Sequence, residues 1–279
     1  MVAVTLMWSI AGVVTRQLET ARSFEVTFWR SFFTAVSLAV ILSAWHGSTV
    51  WRGPRWRSRT LWLSGLCWSV MFTAFMVALT LTSVANVLVT LAVGPLLTAL
   101  VARSFIGYRV PRRTWIAIIV AGLGIAYMFG AQLSSGQLAG MLVALCVPVA
   151  GAVNWTITQR SQSQGRHVDL VPAVLIGAVI SSLITLPLAM PLQASGHDLG
   201  LLALLGLVQL AIPCALSVVC ARVLKAPEIA LLALLEVIFG ISLAWIGANE
   251  VPSQPVLAGG MLVVGALFAN ELAGWRRRA

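Results

Sequence analysis

The sequence predicts an all-α integral membrane protein of ten transmembrane helices, arranged as two inverted five-helix repeats. Three observations support this fold class. Hydrophobic residues make up 59% of the 279 residues and charged residues only 9%, whereas a soluble domain carries about 25% charged residues. Apolar runs of the ~20-residue length that crosses a bilayer as a helix recur along the chain. Basic residues, finally, concentrate in alternate connectors between these runs.

Ten predicted spans follow one another with short connectors that leave no room for a soluble domain. They cover residues 2–15, 26–45, 60–80, 84–104, 114–131, 137–157, 170–192, 199–220, 228–247 and 255–273. Because these runs lack the alternating pattern and turn residues of a transmembrane barrel, we predict helices rather than strands. Span 1 is short, but no basic segment precedes it and no cleavage site follows it, so we do not interpret it as a signal peptide.

The distribution of basic residues predicts the orientation, since cytoplasmic connectors carry an excess of Arg and Lys. With the N-terminus in the cytoplasm, Arg16 and Arg22 fall on the opposite side and Arg30 lies within span 2. We therefore expect a bacterial inner membrane protein with both termini cytoplasmic, and we read the net charge of +10 as an orientation signal rather than as a sign of nucleic-acid binding. The predicted cytoplasmic residues are Arg52, Arg55, Arg57, Arg59, Arg103, Arg109, Arg112, Arg113, Arg160, Arg166, Arg222, Lys225, Arg276, Arg277 and Arg278.

Ten spans divide into two halves of five, which predicts repeats over residues 1–136 and 137–279. An odd number of spans in each half inverts the second half relative to the first, as in many secondary transporters. Residues 85–115 and 227–257 align without gaps, and each contains an apolar span, a polar turn and a glycine-rich span. Few of the aligned positions are identical, so the similarity is one of pattern.

The ends of both halves also carry motifs in a matching order. The first half contains Val84–Val89, then Gly94-Pro95, Ala102-Arg103 and Gly107. The second half contains Ala221-Arg222, residues 226–236, Phe239-Gly240, Glu250-Val251-Pro252 and Gly259-Gly260.

With these motifs the chain resembles EamA-type transporters of the drug/metabolite transporter superfamily over nearly its whole length. Trp8 and Arg30 also stand where this family tends to place a Trp and an Arg. Two positions depart from the pattern: Tyr108 stands where the family usually has Glu, and Val237 follows Glu236 where it usually has Pro. The resemblance implies ten helices around a central cavity, alternating access, and metabolites or drugs as cargo, with amino-acid exporters among the members.

Two charged residues lie inside predicted spans. Glu236 lies ~12 Å from the cytoplasmic end of span 9, where a carboxylate is costly and usually faces a cavity or a partner. It is a candidate contact for a substrate amine or a proton, or else a structural carboxylate. Arg30 lies ~7 Å deep in span 2. We expect it to extend to the interface or to form a structural ion pair with Glu25 or another acid, and the alternative is that it attracts a substrate carboxylate as a charge partner or gate.

Polar and aromatic residues at membrane depth supply the remaining candidates for a substrate cavity. Asn86 and Asn154 must each find a partner, either a neighbouring helix or the cavity. Bulky aromatic side chains suit an apolar cavity that tolerates cations, although ordinary helix packing explains each one equally well. The aromatic candidates are Trp8, Trp68, Phe72, Trp155 and Phe239. Candidate hinges inside the spans are Gly94, Pro95, Pro148 and Pro213, since proline bends a helix and leaves a carbonyl free.

The leading hypothesis is a secondary transporter that moves a small metabolite, with export of amino acids favoured, including hydrophobic and aromatic ones. The alternatives are a carrier of cationic drugs or nucleotide-type metabolites and a membrane-embedded lipid-modifying enzyme. We expect no enzymatic activity, because paired acids, a histidine at membrane depth and metal-ligand spacings are missing from the sequence. We also expect no cofactor and no metal. The expected partners are a small-molecule substrate and the lipid bilayer, with the protein a monomer or homodimer.

Overall fold

The computed structural model describes residues 1–21, 23–47, 51, 54–106, 112–132, 137–163, 169–223, 229, 232–233 and 235–275. Within these ranges every regular element is helical. The helices are α1 (Val2–Thr15), α2 (Ser23–His46), α3 (Arg59–Leu81), α4 (Val84–Leu91), α5 (Gly94–Ile106), α6 (Arg112–Gln132), α7 (Leu138–Ser163), α8 (Val171–Ala189), α9 (Gly196–Leu204), α10 (Ile212–Cys220), α11 (Leu235–Ala248) and α12 (Gln254–Trp275). A π-helical segment, Leu205–Ala211, joins α9 to α10.

The helical membrane fold that the composition predicts is confirmed. In the described part of the chain, seven helical stretches are long and apolar enough to cross a membrane. They are Phe24–Trp45, Arg59–Leu81, Val84–Phe105, Leu138–Ser161, Val171–Ala189, Gly196–Cys220 and Gln254–Gly274. The other three predicted spans correspond to the shorter apolar helices Val2–Thr15, Trp115–Gly124 and Leu235–Ala248. The arrangement of ten helices in two repeats stays a prediction.

Two predicted spans are not the continuous α-helices that their hydropathy suggests. Predicted span 4 consists of α4 and α5, and the chain turns at Ala92 before α5 begins at Gly94. Pro95 therefore lies in the first turn of α5, where its missing N–H removes no helical hydrogen bond. Pro213 likewise stands at the start of α10, directly after the π-helical segment. Pro148, by contrast, lies within α7, which continues past it.

The helices of residues 1–136 pack extensively against those of residues 137–279. Helix α3 packs on α7 and α8, α2 packs on α8, α1 packs on α11, and α6 packs on α12. The α3–α8 contact is especially close, because glycines meet large side chains from both sides. A Cβ on Gly65 would lie 2.5 Å from Cγ2 of Ile176, and a Cβ on Gly177 would overlap Trp68. This contact therefore sets the position of Trp68.

Several sequence features lie outside the described residues. They include the polar turn 107–111 with Tyr108, the segment 224–228, and a large part of the basic connectors that predict the orientation. The basic residues concerned are Arg22, Arg52, Arg109, Arg166, Lys225, Arg276, Arg277 and Arg278. Cytoplasmic termini stay a prediction for this reason.

Candidate functional site

A cavity of about 170 Å³ lies between the two halves of the chain. Both halves contribute to its wall: α1 to α5 on one side, and α7, the π-helical segment, α10 and the α11 region on the other. The residues that line it are Trp8, Arg30, Trp68, Met71, Phe72, Phe75, Leu88, Leu91, Ala92, Gly94, Pro95, Thr98, Val147, Pro148, Gly151, Ala152, Trp155, Gln209, Leu210, Cys214, Ile229, Ala233, Glu236 and Val237. Apolar walls with a few polar groups are typical of small-molecule sites.

Aromatic side chains form much of one wall. The Trp68 ring makes an edge contact with Trp155 across α3 and α7, with ring centroids 6.0 Å apart, and a tilted contact with Phe72 at 5.5 Å. Trp8 of α1 reaches the same cavity. Trp8, Trp68, Phe72 and Trp155 thus line this cavity, and their contact with a substrate stays a prediction. Phe239 does not line the cavity: it lies on α11 outside the lining, because Glu236 and Val237 supply the cavity-facing side of that helix.

Arg30 is fully buried in the cavity wall, so the expectation that it extends to the interface is wrong. Its Nη2 donates to the Phe72 carbonyl at 2.8 Å and its Nη1 donates to Gln209 Oε1 at 3.2 Å. The guanidinium also lies 5.8 Å from the centre of the Phe75 ring. Each of these partners is neutral. Glu25, the expected ion-pair partner, instead accepts hydrogen bonds from the backbone N–H groups at the end of the α8–α9 connector.

Gln209 lies in the π-helical segment and anchors the Arg30 side chain. Its Oε1 accepts from Arg30 and its Nε2 donates to the Trp8 carbonyl at 3.4 Å. The segment lies very close to α2: a Cβ on Gly206 would be 3.0 Å from the Arg30 carbonyl oxygen. Only a residue without a side chain permits this approach. The close approach at Gly206 thus places Gln209 directly beside Arg30.

Glu236 also borders the cavity, from the first turn of α11. In the described part of the chain, its carboxylate makes neither an ion pair nor a hydrogen bond, and it is half-buried. Its backbone carbonyl accepts from the Ser9 hydroxyl at 3.4 Å, which ties α11 to α1. The carboxylate therefore borders the cavity without a compensating cation.

The two asparagines predicted as cavity contacts do not line the cavity; both hold helices together. Asn154 Oδ1 accepts from the Ser64 hydroxyl at 2.6 Å and joins α7 to α3. Asn86 Nδ2 donates to Thr82 Oγ1 at 2.8 Å and to Gln137 Oε1 at 2.6 Å, beside the start of α4. A buried amide needs partners, and these two find them in neighbouring helices and connectors.

The candidate hinges are distributed unevenly around the cavity. Gly94, Pro95 and Pro148 line it, and a Cβ on Gly94 would lie 3.7 Å from Cβ of Pro148. Pro213 is buried outside the lining, next to Cys214, which does reach the cavity. Whether any of these residues acts as a hinge stays a prediction.

At one end of the helices, charged side chains bond to the connectors and to the adjoining helix ends. We call this region the tied connectors (residues 16–21, 23–25, 79–84, 193–198 and 250). Arg16 donates to Glu250 Oε2 at 2.9 Å, to the Leu79 carbonyl at 3.1 Å and to the Thr82 carbonyl at 2.9 Å. Glu250 also accepts from the Val84 N–H at 2.6 Å. The nearest cavity residue of α4, Leu88, lies one helical turn from that bond, ~6 Å along the axis. This network therefore lies about one helical turn beyond the cavity lining of α4.

A second part of the tied connectors joins the α1–α2 connector to α9. The buried carboxylate of Asp198 accepts from the backbone N–H groups of Glu19, Thr20 and Ala21 at 2.9 to 3.0 Å, and from the Thr20 hydroxyl at 2.7 Å. Backbone N–H groups that donate to one carboxylate form strong, charge-assisted hydrogen bonds. They hold residues of the two halves together at this end of the molecule.

Sequence reasoning missed several lining residues, of which Gln209 is the most informative. Its signal was present: Gln209 is the one strongly polar residue in the apolar run 199–220, and a polar side chain at such depth usually has a functional or structural partner. Thr98 and Cys214 carry weaker signals, because small residues of this kind are common in membrane helices. Within the described residues, no three His, Cys, Asp or Glu side chains cluster as metal ligands would.

Comparison with known proteins adds to this geometry. Residues 1–130 match the family model described as "EamA-like transporter family". A solved structure titled "Crystal structure of protein" shares the fold with a TM-score of 0.70, and the alignment covers 97% of this chain and 95% of that one. At 18% sequence identity the similarity concerns the fold alone. No curated protein matches the chain.

Proposed function

Residues 1–130 match the model of the EamA-like transporter family, and we propose that the chain exports small zwitterionic metabolites. Amino acids with apolar or aromatic side chains are the cargo that suits its cavity best. Transport proceeds by alternating access without a cofactor, and residues 1–136 and 137–279 act as the two inverted repeats of five helices.

One observation carries this proposal: two opposite charges border a single cavity without neutralising each other. Across the described residues, Arg30 and Glu236 form no ion pair, with each other or with another side chain. Buried charges normally have a partner, because an isolated ion in an apolar environment is costly. A zwitterion supplies both missing partners, with its ammonium group at Glu236 and its carboxylate on the Arg30 side of the cavity.

The apolar wall supports the choice of side chain. Apart from the two charges, the cavity is bounded by Trp68, Phe72, Trp155 and aliphatic residues of α4 and α7. Such a surface gains free energy by covering an apolar or aromatic group, at roughly 25 cal/mol for each Å² removed from water. A strongly polar cargo would find few hydrogen-bond partners there.

Alternating access requires that the cavity open at each end in turn. We propose that the tied connectors, which join the two halves through bonds such as that of Arg16 to Glu250, close one end. Rocking of the halves around a central site is the usual mechanism of inverted-repeat carriers. Opening that end therefore requires the Arg16–Glu250 and Asp198 bonds to break or rearrange.

A transport assay with purified protein in liposomes tests the proposal. Labelled leucine, phenylalanine, tryptophan and alanine are supplied in parallel with a nucleoside and a cationic drug. We expect uptake of the large apolar amino acids above protein-free liposomes. Uptake of the nucleoside or the drug without any amino acid would overturn the proposal.

Replacing Glu236 tests its role within this assay. Glu236→Gln keeps the shape of the side chain but removes the charge that faces the ammonium group. We expect amino-acid transport to fall about 10- to 100-fold, the range for losing a hydrogen bond to a charged group. Glu19→Gln, an exposed carboxylate on the α1–α2 connector, is the matched control and should transport normally. Normal transport by Glu236→Gln would make Glu236 structural.

A second candidate function is the carriage of cationic drugs. It is favoured by the combination of Glu236 with Trp8, Trp68 and Trp155 around the same cavity, because indole rings attract cations. The two candidates differ in their need for a carboxylate on the cargo. If decarboxylated amines are transported as well as the amino acids, and Arg30→Gln changes neither, the cation carrier is correct.

A further inference from the structure

We infer that Gln209 is the specificity-determining residue of the cavity: its neutral amide positions the Arg30 guanidinium and leaves its positive charge available to an anionic group of the cargo. The inference rests on the proposed function, since it concerns how a carboxylate on the substrate is selected. The inference makes Gln209 a positioning residue, which affects the substrate through Arg30.

The hydrogen bonds of Arg30 show why its position depends on Gln209. One terminal nitrogen is held by the Phe72 carbonyl of α3, and the other by the Gln209 amide oxygen. The Nε of Arg30 is buried and finds no hydrogen-bond partner among the residues that the structure describes. Gln209 is itself fixed from its other end by the Trp8 carbonyl. The guanidinium is therefore held between two neutral oxygens, and one of them belongs to a side chain that mutation can change.

The electrostatic consequence follows from the neutrality of those oxygens. Arg30 is 0% exposed and Gln209 is 2% exposed, so water does not screen the charge well. In such surroundings a positive charge without a counter-ion strongly favours an anion nearby. A glutamate at position 209 would place that anion inside the protein, about where the amide oxygen lies now, and the demand for a carboxylate on the cargo would disappear.

The backbone explains why this position can hold an amide beside Arg30. Gln209 lies in the π-helical segment, and such segments insert one extra residue into a helical turn and occur frequently at functional sites. Gly206 in the same segment approaches the Arg30 carbonyl, and the Thr34 hydroxyl donates to the Gly206 carbonyl at 3.2 Å. The contact with α2 thus fixes the register of the segment and the direction in which Gln209 reaches Arg30.

Binding of matched ligand pairs to the full-length protein in detergent tests the inference. Phenylalanine is compared with phenethylamine, and leucine with 3-methylbutylamine, because each pair differs only by the carboxylate. Isothermal titration calorimetry gives the affinity ratio of amino acid to amine. We expect wild-type protein to prefer the amino acids. In Gln209→Glu the amino-acid affinity should fall about 10- to 100-fold, while the amine affinity stays or rises, so the ratio collapses.

Two further variants separate positioning from general damage. Gln209→Leu removes the hydrogen bonds without adding charge, so the amino acids should lose several-fold in affinity and still be preferred over the amines. Gln137→Glu introduces the same charge change at a glutamine outside the cavity, which bonds to Asn86 and Thr82, and should leave the ratio unchanged. If Gln209→Glu does not give a monodisperse protein, Gln209→Leu decides: unchanged amino-acid affinity in it overturns the inference.

The outcomes distinguish this inference from the proposed function. If wild-type protein binds neither amino acid, the proposed function fails and the inference falls with it. If wild-type protein prefers the amino acids, Arg30→Gln abolishes the preference and Gln209→Glu keeps it, the inference about Gln209 is wrong while the proposed function stands.

Discussion

The cavity and the tied connectors use the same kinds of charged residue in opposite ways. In the tied connectors Arg16 and Glu250 bond to each other and to backbone groups, and Asp198 accepts four hydrogen bonds. In the cavity the described residues include no partner of opposite charge for Arg30 or for Glu236. Charges that find partners within the protein hold its connectors together, whereas the proposed function assigns the two cavity charges, which lack an ion pair among the described residues, to a ligand.

The contrast has an energetic basis. Arg16 and Glu250 keep 32% and 19% of their side chains exposed, so each is partly solvated and their pairing contributes little more than about 1 kcal/mol. Arg30 has no such solvation, and its partners among the described residues are two neutral oxygens and the Phe75 ring. We therefore expect substitutions of charged residues to have different effects in the two regions. In the tied connectors they should change stability and conformation, and in the cavity they should change ligand binding.

The largest expected effect is on stability and concerns Asp198. Asp198→Asn keeps the shape but replaces one oxygen by an NH₂ group, which faces backbone donors and cannot accept from them. We expect a loss of about 3 kcal/mol, because several hydrogen bonds to a buried carboxylate are removed. Thermal unfolding in detergent measures the loss. Asp169→Asn, in the exposed pair with Arg222, is the control and should change stability by less than about 1 kcal/mol. Equal effects of the two substitutions would contradict the contrast.

The next effect separates the two arginines. Arg30→Gln should lower the affinity for amino acids about 10- to 100-fold with a small change in melting temperature, because replacing a buried charge that lacks an ion-pair partner also removes its desolvation cost. Arg16→Gln should lower the melting temperature and change affinity little. Calorimetric titration and thermal unfolding of both variants give the comparison, and the reverse pattern would show that the roles are exchanged.

A smaller effect concerns access to the cavity from the tied end. Cys214 borders the cavity and is 1% exposed, so it can report opening once Cys67, Cys146 and Cys220 are replaced by Ser. In that background Glu250→Gln should raise the labelling rate of Cys214 by an impermeant maleimide about 2- to 5-fold, as expected from losing up to about 1 kcal/mol of ion pairing. Right-side-out and inverted vesicles identify the side. An equal rise in both orientations would mean that the tied connectors do not close one end.

A comparably small effect tests the asparagine that joins α3 to α7. Asn154→Ala removes the acceptor of the Ser64 hydroxyl and should cost about 1 kcal/mol of stability. The affinity for amino acids should stay within about twofold, because the side chain does not reach the cavity. A large loss of affinity at unchanged stability would instead show that Asn154 contributes to the binding site, as the sequence alone predicts.

The sequence predicted how deep in the membrane each candidate residue lies, but not which side of its helix the residue faces. Apolar runs show how far along a span a residue lies, which is why Glu236 and Arg30 could be identified as intramembrane charges. They do not show which way a residue points, since these helices are apolar on all sides and lack the polar face that orients a helix in a soluble protein. Asn86, Asn154 and Phe239 were assigned to the cavity for this reason and lie outside it.

The sequence by itself determined the helical membrane architecture and the similarity to EamA-type transporters, because span length and apolar composition are local properties that the bilayer demands. Tertiary structure alone decided two things: the neutral partners of Arg30 and the place of Gln209 in the cavity wall. Each depends on contacts between segments distant in the chain, such as the approach of Gly206 to α2. No local pattern encodes such contacts, because they form only when the helices pack.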